Sequence, residues 1–362
     1  MYIKNLLLEN FRNYENEEFS LCEDINIFYG DNAQGKTNAV EGIFFLCTGY
    51  SPRAKRDKQF IYYGKNSSFI KVIAQTRYGE TSVSANFFSD SNKVVKINDV
   101  QINKIGEIYG NINAVYFNPQ ELKLVTDSPE DRRRFIDIAL SQIKKSYFYA
   151  LQKYKKIILQ RNNLLKNPDR SIISDTLAVW DMQLAPVASK IIYDRNEFLK
   201  SLAPFAKEIH AYLTDGAEDL SVGFDLEITG TQSEIEAKFL QKLKDNFEKD
   251  VELGYTSFGP HRDDLKLNIN GREVKVYGSQ GQMRTTALSL KLAEIEIFKS
   301  RFLEPPILIL DDALSELDKS RQKKLLQKIK GVQTIITCTH IEEDVFENTV
   351  NKRFLIKGGK RV

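Results

Sequence analysis

The sequence predicts an α/β fold whose two halves meet around a phosphate-binding loop, with an antiparallel β-layer beside it and a mainly helical second domain inserted between the halves. Three observations predict it. The stretch Gly30-Asp31-Asn32-Ala33-Gln34-Gly35-Lys36-Thr37 matches GxxxxGKT and sits between an apolar strand pattern over residues 25–28 and a helical one, Ala39, Val40, Ile43, Phe44 and Cys47. Near the other end the apolar run 307–310 leads straight into Asp311-Asp312. Between them, from Ser128 to about Leu213, helical periodicity dominates.

The loop's chemistry follows from its residues. Two glycines let the backbone curl so that successive N–H groups point inward, and a helix starting near Lys36 adds its positive end to the same concavity. Lys36 is expected to reach the β- and γ-phosphates of ATP, with the Thr37 hydroxyl on Mg²⁺ and residues 30–38, including Asn38, as the nucleotide cradle.

The chain has 362 residues, 42% of them apolar, which suits two domains or one large discontinuous one. No apolar run approaches membrane-spanning length and nothing reads as a signal peptide, so the expectation is a cytoplasmic protein with no membrane partner. Cys22, Cys47 and Cys338 are odd in number and far apart, a pattern of reduced thiols rather than of a disulfide frame or a zinc site. A net charge of +3 identifies no partner by itself.

Along the chain, Ile3, Leu6, Leu7 and Leu8 mark a first strand, and Asn10-Phe11-Arg12-Asn13-Tyr14 reads as a polar loop with an aromatic anchor. The loop 49–58 carries Arg53, Lys55, Arg56 and Lys58, consistent with either a solvated surface or a contact to a phosphate backbone. Alternation over residues 69–97 predicts an antiparallel meander, and a strand over 114–117 ends at Asn118-Pro119-Gln120. Ser128-Pro129 with Glu130 and Asp131 is a helix start. From Arg132 to Arg161, nine Lys/Arg, including Lys144 and Lys145, stand against one acid, Asp137, with Tyr147, Phe148, Tyr149 and Tyr154 interleaved. That run fits a nucleic-acid contact or a solvated face over core aromatics. A break is expected near 167–169, a strand over 220–228 and a charged helix over 234–249. His261, Asp263 and Asp264 resemble a metal cluster, yet neighbours on an extended segment point to opposite faces. Strands over 265–269 and 273–276 flank an Asn270-Gly271 turn; a helix from about Gln282, a helix near 319–328 and a strand over 334–337 follow.

At the C-terminal end, Asp311 is placed to help hold Mg²⁺ and Asp312 to orient the attacking water. Gly278-Ser279-Gln280-Gly281-Gln282 is a small-residue turn into a helix, suited to a phosphate. His340 follows a strand, at the carboxyl end where α/β active sites form, and is assigned as a γ-phosphate sensor.

In this order the motifs resemble the ABC-type ATPase heads of SMC-like DNA-repair proteins and, within them, the RecF family. The closer match is carried by residues 10–14, by Pro119 through Ser128-Pro129 to Arg132-Arg-Arg-Phe-Ile-Asp137, by Gly259-Pro-His-Arg-Asp-Asp-Leu265 leading to Ser279 to Gln282, and by Asp311-Asp-Ala-Leu-Ser-Glu-Leu-Asp318, of which the Arg132 to Asp137 and Gly259 to Leu265 stretches are specific to the family. The resemblance implies an ABC-type head in two halves, 1–125 and 256–362, around a helical insertion, 126–255. It implies two ATP molecules sandwiched in a homodimer, with Ser279, Gly281 and Gln282 completing the partner's site, Arg12 and Asn13 near the nucleotide, and Gln120 as a metal-side glutamine. It further implies a DNA clamp at gapped double-stranded DNA, acting at the nucleoid with RecO and RecR to promote RecA loading, with Arg53, Lys55, Arg56, Lys144 and Lys145 as DNA contacts. Gln120 and Asp127 stand where the family more commonly has an acid and a glycine. Asp312 replaces the usual glutamate, which predicts slow hydrolysis, with Glu316 or Gln282 as alternative bases. The competing reading is the soluble ATPase subunit of an ABC transporter, which shares the loop and signature logic.

Overall fold

The computed structural model describes residues 1–167, 170–224, 228–347 and 349–362, without the side chains of 170–175 and 316. Pro168 and Asp169 of the expected break, the 225–227 part of the expected strand and the Glu316 side chain therefore lie outside the described residues.

A six-stranded sheet carries the head. Its strands lie in the order Ala114–Phe117, Ile307–Asp311, Thr334–Cys338, Ile25–Tyr29, Asn351–Lys357 and Lys360–Arg361, all parallel except the last. Two strands thus come from the first third of the chain and four from its end. Because side chains alternate across a strand, this sheet feeds two cores. Tyr116, Ile307, Ile309, Ile335 and Phe354 face the helix Lys36–Thr48 and the antiparallel layer. Val115, Phe117, Leu308, Leu310 and Ile336 face the helical lobe.

The antiparallel layer orders Tyr14–Ser20, Tyr2–Phe11, Ser67–Thr76, Gly79–Phe88, Val94–Ile97 and Val100–Gln101. Its first two strands form a hairpin through Arg12 and Asn13, so 10–14 is a tight turn rather than an open loop. Phe11 and Tyr14 are fully buried on either side of it. The helix Lys36–Thr48 lies between the two sheets, which is why it is apolar nearly all round.

The lobe packs Pro129–Ile143, Lys145–Leu165, Arg170–Leu213 and Gln280–Phe302 into one core. Two cations of the basic run 132–161, Arg132 and Arg161, are buried here. Arg132 forms a bidentate pair with Asp264 (2.5 and 2.9 Å). Arg161, fully buried, bonds Asp181 and Asp250, both at 2.7 Å. Tyr147 and Tyr154 are core residues, while Lys153, Lys155 and Lys156 remain exposed. Helical spacing alone could not sort these cations, because the carboxylates that neutralise Arg132 and Arg161 come from distant segments.

A three-stranded sheet, Leu220–Phe224, Leu265–Ile269 and Arg272–Glu273, completes the lobe. The division expected at 255/256 separates two of its paired strands. Asn270 (φ 50°) and Gly271 (φ 77°) make the hairpin turn as expected. The expected strand 273–276 is corrected: after Glu273 the chain forms a helical turn, Val274–Tyr277, with only Val274 buried, and so swings toward Ser279. The expected helix 234–249 is two, Gln232–Asp245 and Phe247–Leu253, parted at Asn246.

Candidate nucleotide site

The phosphate loop is fastened from three sides. Gly35 opens the helix Lys36–Thr48 at φ 118°, and a β-carbon there would lie 2.6 Å from Asn13 Nδ2. Asn13 donates to Gln34 O (2.9 Å) and accepts from Asn38 Nδ2 (2.8 Å), and the buried Tyr14 hydroxyl donates to Gly35 O (3.0 Å). From the C-terminal hairpin, Gly358 N–H donates to Gln34 Oε1 (2.6 Å) and Gly359 N–H to Gln34 O (2.8 Å). Asp31, Asn32 and Ala33 at the loop's tip are exposed.

Lys36 is buried and its ammonium donates to the carbonyls of Gly30 (2.5 Å) and Asp31 (2.7 Å). Burial pulls its pKa below the ordinary lysine value, opposed by the charges of Asp312, Cys338, Asp31 and Asp311. Those charges set the loop lysine beside the acid strand. Thr37 Oγ1 donates to Asp311 Oδ1 at 2.9 Å, joining residues 274 positions apart. Two further hydroxyls converge on the buried Asp311: Thr337 Oγ1 on Oδ1 (2.6 Å) and Tyr116 O–H on Oδ2 (2.6 Å). Asp312 follows in the left-handed region (φ 54°), its N–H on Thr337 (Oγ1 2.9 Å, O 3.2 Å) and its side chain exposed. His340 is exposed two residues beyond the end of the strand Thr334–Cys338.

Arg12 (φ 56°) grips the buried Glu41 of the loop's helix with Nε and Nη2 (3.1 and 2.8 Å) and stacks over Phe60. Ser51 Oγ donates to the same carboxylate at 2.5 Å. Gln120 is exposed on the short helix Pro119–Leu122 and shares a cavity of about 190 Å³ with Tyr116, Asn118, Glu121, Lys291 and Glu294. Lys291 and Glu294 belong to the helix Gln280–Phe302, and Lys291 reaches Glu121 at 3.2 Å. At that helix's start Ser279 and Gln282 cap one another, Ser279 N–H on Gln282 Oε1 (2.8 Å) and Gln282 N–H on Ser279 Oγ (3.2 Å). Ser279 is exposed and Gly281 half-buried; among the described residues no hydrogen bond links 279–282 to 30–38.

The other named positions lie elsewhere. Arg53, Lys55 and Arg56 are exposed near the loop's helix, where Arg53 donates to Asn38 Oδ1 (3.0 Å). Lys144 pairs with the buried Asp194 at 2.5 Å, and Lys145 reaches Glu107 O at 3.3 Å. His261 accepts from Tyr154 O–H and sits 3.0 Å from Thr256 O, while Asp263 holds Arg195 and Asp264 holds Arg132. Sequence reasoning missed Tyr116, Thr337, Glu41 and the Gly358-Gly359 clasp. A polar residue in an apolar strand was the available signal for the first two. The clasp had none, because its partner Gln34 is 324 positions away.

The family model for the RecF/RecN/SMC N-terminal domain matches residues 2–357. The DNA replication and repair protein RecF of Acetivibrio thermocellus is 44% identical over 355 residues, 96% of this chain and 95% of its own. The chain belongs to the RecF family. The RecF protein of Ruminiclostridium cellulolyticum is likewise 44% identical, over 99% of this chain and 98% of its own. The solved structure of the recombination mediator protein RecF-ATPrS in the RecFOR pathway superposes with a TM-score of 0.91 at 32% identity, covering 99% of this chain and 97% of that one. The corresponding RecF-ATP structure gives 0.89, also at 32%, covering 100% and 97%. An Smc head bound to the C-terminal winged-helix domain of ScpA shares the fold alone, at TM-score 0.60 and 15% identity over 100% and 96% of the two chains. A transporter subunit is not favoured by full-length similarity to RecF proteins. Among the described residues no helix is long and apolar enough to cross a membrane.

Proposed function

We propose that this RecF-family chain is an ATP-switched, DNA-binding protein of recombinational repair that dimerises around ATP. The observation that carries the reading is a divided site. The phosphate loop and the acid strand are hydrogen-bonded to each other through Thr37 and Asp311, whereas Ser279 is turned outward at a helix start. One chain thus offers two half-sites, and a second copy brings them together.

In this reading Lys36 exchanges the carbonyls of Gly30 and Asp31 for β- and γ-phosphate oxygens. The hard oxygens Thr37 Oγ1 and Asp311 Oδ1 fit Mg²⁺, which would supply charge neutralisation on the phosphates, and Gln120 is proposed on the metal side. Tyr116 and Thr337 fix the Asp311 carboxylate, Asp312 orients water, and His340 meets the γ-phosphate. Ser279 and Gly281 of the partner copy present N–H groups and a hydroxyl to that same phosphate. The short Asp312 carboxylate makes hydrolysis slow, a timer that reopens a clamp on gapped DNA. Arg53, Lys55 and Arg56, exposed near the loop, and the exposed Lys145 are the proposed DNA contacts. Action with RecO and RecR to promote RecA loading is part of the same proposal, and the full-length likeness to RecF proteins supports it.

The test measures oligomeric state and DNA affinity with and without ATP. ATP-dependent dimers that bind DNA are expected, and Ser279→Arg is expected to keep ATP binding while losing the dimer. An unaltered dimer in that variant sinks the reading.

A further inference from the structure

The turn Ser279 to Gln282, the signature turn of the proposed partner contact, is braced from behind by a carboxylate that lies outside the nucleotide site. The Gln282 amide has one oxygen, bonded by Ser279 N–H, while its Nε2 donates to Glu218 Oε1 at 3.0 Å. Glu218 Oε2 lies 2.9 Å from Nε2 of the fully buried His210, whose Nδ1 is 3.1 Å from Ser289 Oγ. Ser289 stands on the same helix as Gln282, so the chain of bonds leaves the signature helix, passes through the end of Arg170–Leu213, and returns.

The chemistry of this chain is directional. A flipped Gln282 amide would set its NH₂ against Ser279 N–H and its oxygen against the Glu218 carboxylate, two like contacts, so Glu218 fixes which end faces the turn. A carboxylate at position 282 would cap Ser279 equally well but would meet Glu218 charge to charge; the brace therefore favours a neutral amide next to an incoming phosphate. Burial lowers the His210 pKa, against the pull of Glu218, which leaves a neutral ring whose Nε2–H donates to that carboxylate.

Resting on the reading of Ser279 to Gln282 as the surface that meets the partner's nucleotide, we propose that Glu218, backed by His210, is the positioning residue that holds this signature turn ready for the γ-phosphate of a second copy. The turn is thereby geared to the long helix Arg170–Leu213, so that dimerisation is sensed by the helical lobe.

The experiment compares the full-length chain with Glu218→Ala, Glu218→Gln and Ser279→Arg. Affinity for a fluorescent ATP analogue is measured at a concentration that keeps the protein monomeric, and ATP-dependent dimerisation by sedimentation. Glu218→Ala is expected to bind nucleotide within about twofold of the parent while its dimer Kd rises roughly tenfold, the loss of one bond to a charged acceptor. Glu218→Gln keeps an acceptor oxygen for Gln282 and turns its NH₂ to His210, whose ring then carries the proton on Nδ1 and donates to Ser289 Oγ, so most of the dimer is expected to be restored. If Glu218→Ala dimerises like the parent while Ser279→Arg does not, the positioning role is overturned and the signature reading stands. If Ser279→Arg dimerises normally, the signature reading falls and takes this inference with it. Failure of Glu218→Gln to rescue, or an equal loss of monomer nucleotide affinity in Glu218→Ala, reduces Glu218 to a structural residue and also overturns the proposal. Should Glu218→Ala not fold, His210→Phe keeps a ring and removes the donor behind Glu218. A rise in dimer Kd of about threefold is expected there, and no rise overturns the inference.

Discussion

Replacing Arg195 with methionine tests how the helical lobe is held to the strand-turn segment that carries the Gly259 to Leu265 motif. Arg195 is buried on the helix Arg170–Leu213 and binds Asp137 (2.9 Å), Asp263 (2.9 Å), Pro260 O (2.6 Å) and the Tyr147 hydroxyl (3.0 Å). Methionine fills comparable space but strands two carboxylates. Removing one partner of a buried pair costs about 3–5 kcal/mol. Asp137 keeps its bond from Tyr147, which places the expected loss near the low end, about 3 kcal/mol. Trp180, the sole tryptophan, sits on the same helix and reports its unfolding in urea. The midpoint should fall by about 1–1.5 M for an m-value of roughly 2–3 kcal/mol/M. The pH dependence adds a sign. Burial raises the Asp263 pKa above the usual value, and Arg195 is the main influence holding it down. In Arg195→Met that pKa rises further, so protonated Asp263 is tolerated below it, and the stability deficit grows as pH climbs through it. Asp263→Asn in the same background should recover part of the loss. An unchanged midpoint in Arg195→Met, or a deficit that shrinks as pH rises, refutes this account of the lobe.

Glu294 is buried with its pKa raised to about 7, chiefly by burial and opposed by Lys291. Its contribution to stability is present below the ordinary carboxylate pKa and is lost as pH rises through about 7. Glu294→Gln should therefore flatten the fall in melting temperature between about pH 4.5 and 7, and an unchanged slope counts against it. Lys144→Glu should act on folding, since it faces the buried Asp194, with a loss of about 2 kcal/mol or more in urea. Charge reversal at exposed Lys55 or Arg56 should leave urea stability within about 0.5 kcal/mol and weaken DNA binding, lowering the salt slope by about one for each DNA phosphate no longer neutralised. Equal stability effects at both places would undo that distinction. Asp312→Asn should retain ATP-dependent dimers and lose turnover at least about tenfold in a phosphate-release assay; unchanged turnover removes Asp312 from its role.

Local patterns in the chain were enough to determine the loop, both of its flanking elements and the acid strand. GxxxxGKT needs only neighbouring residues to curl around a phosphate, and short apolar runs ending in acids are local too. The head's division between the two ends of the chain was equally legible, because the helical period separating them is long. Tertiary structure alone decided what those elements face. Asp311 became a junction of Thr37, Thr337 and Tyr116 only when strands from distant parts of the chain lay side by side. The basic run 132–161 divided into buried ion pairs and solvated lysines for the same reason: the carboxylates opposite Arg132 and Arg161 lie on segments up to 132 positions away. Charge in a sequence is a property of a residue, but whether that charge greets a partner or closes a core depends on what the fold brings within about 3 Å of it.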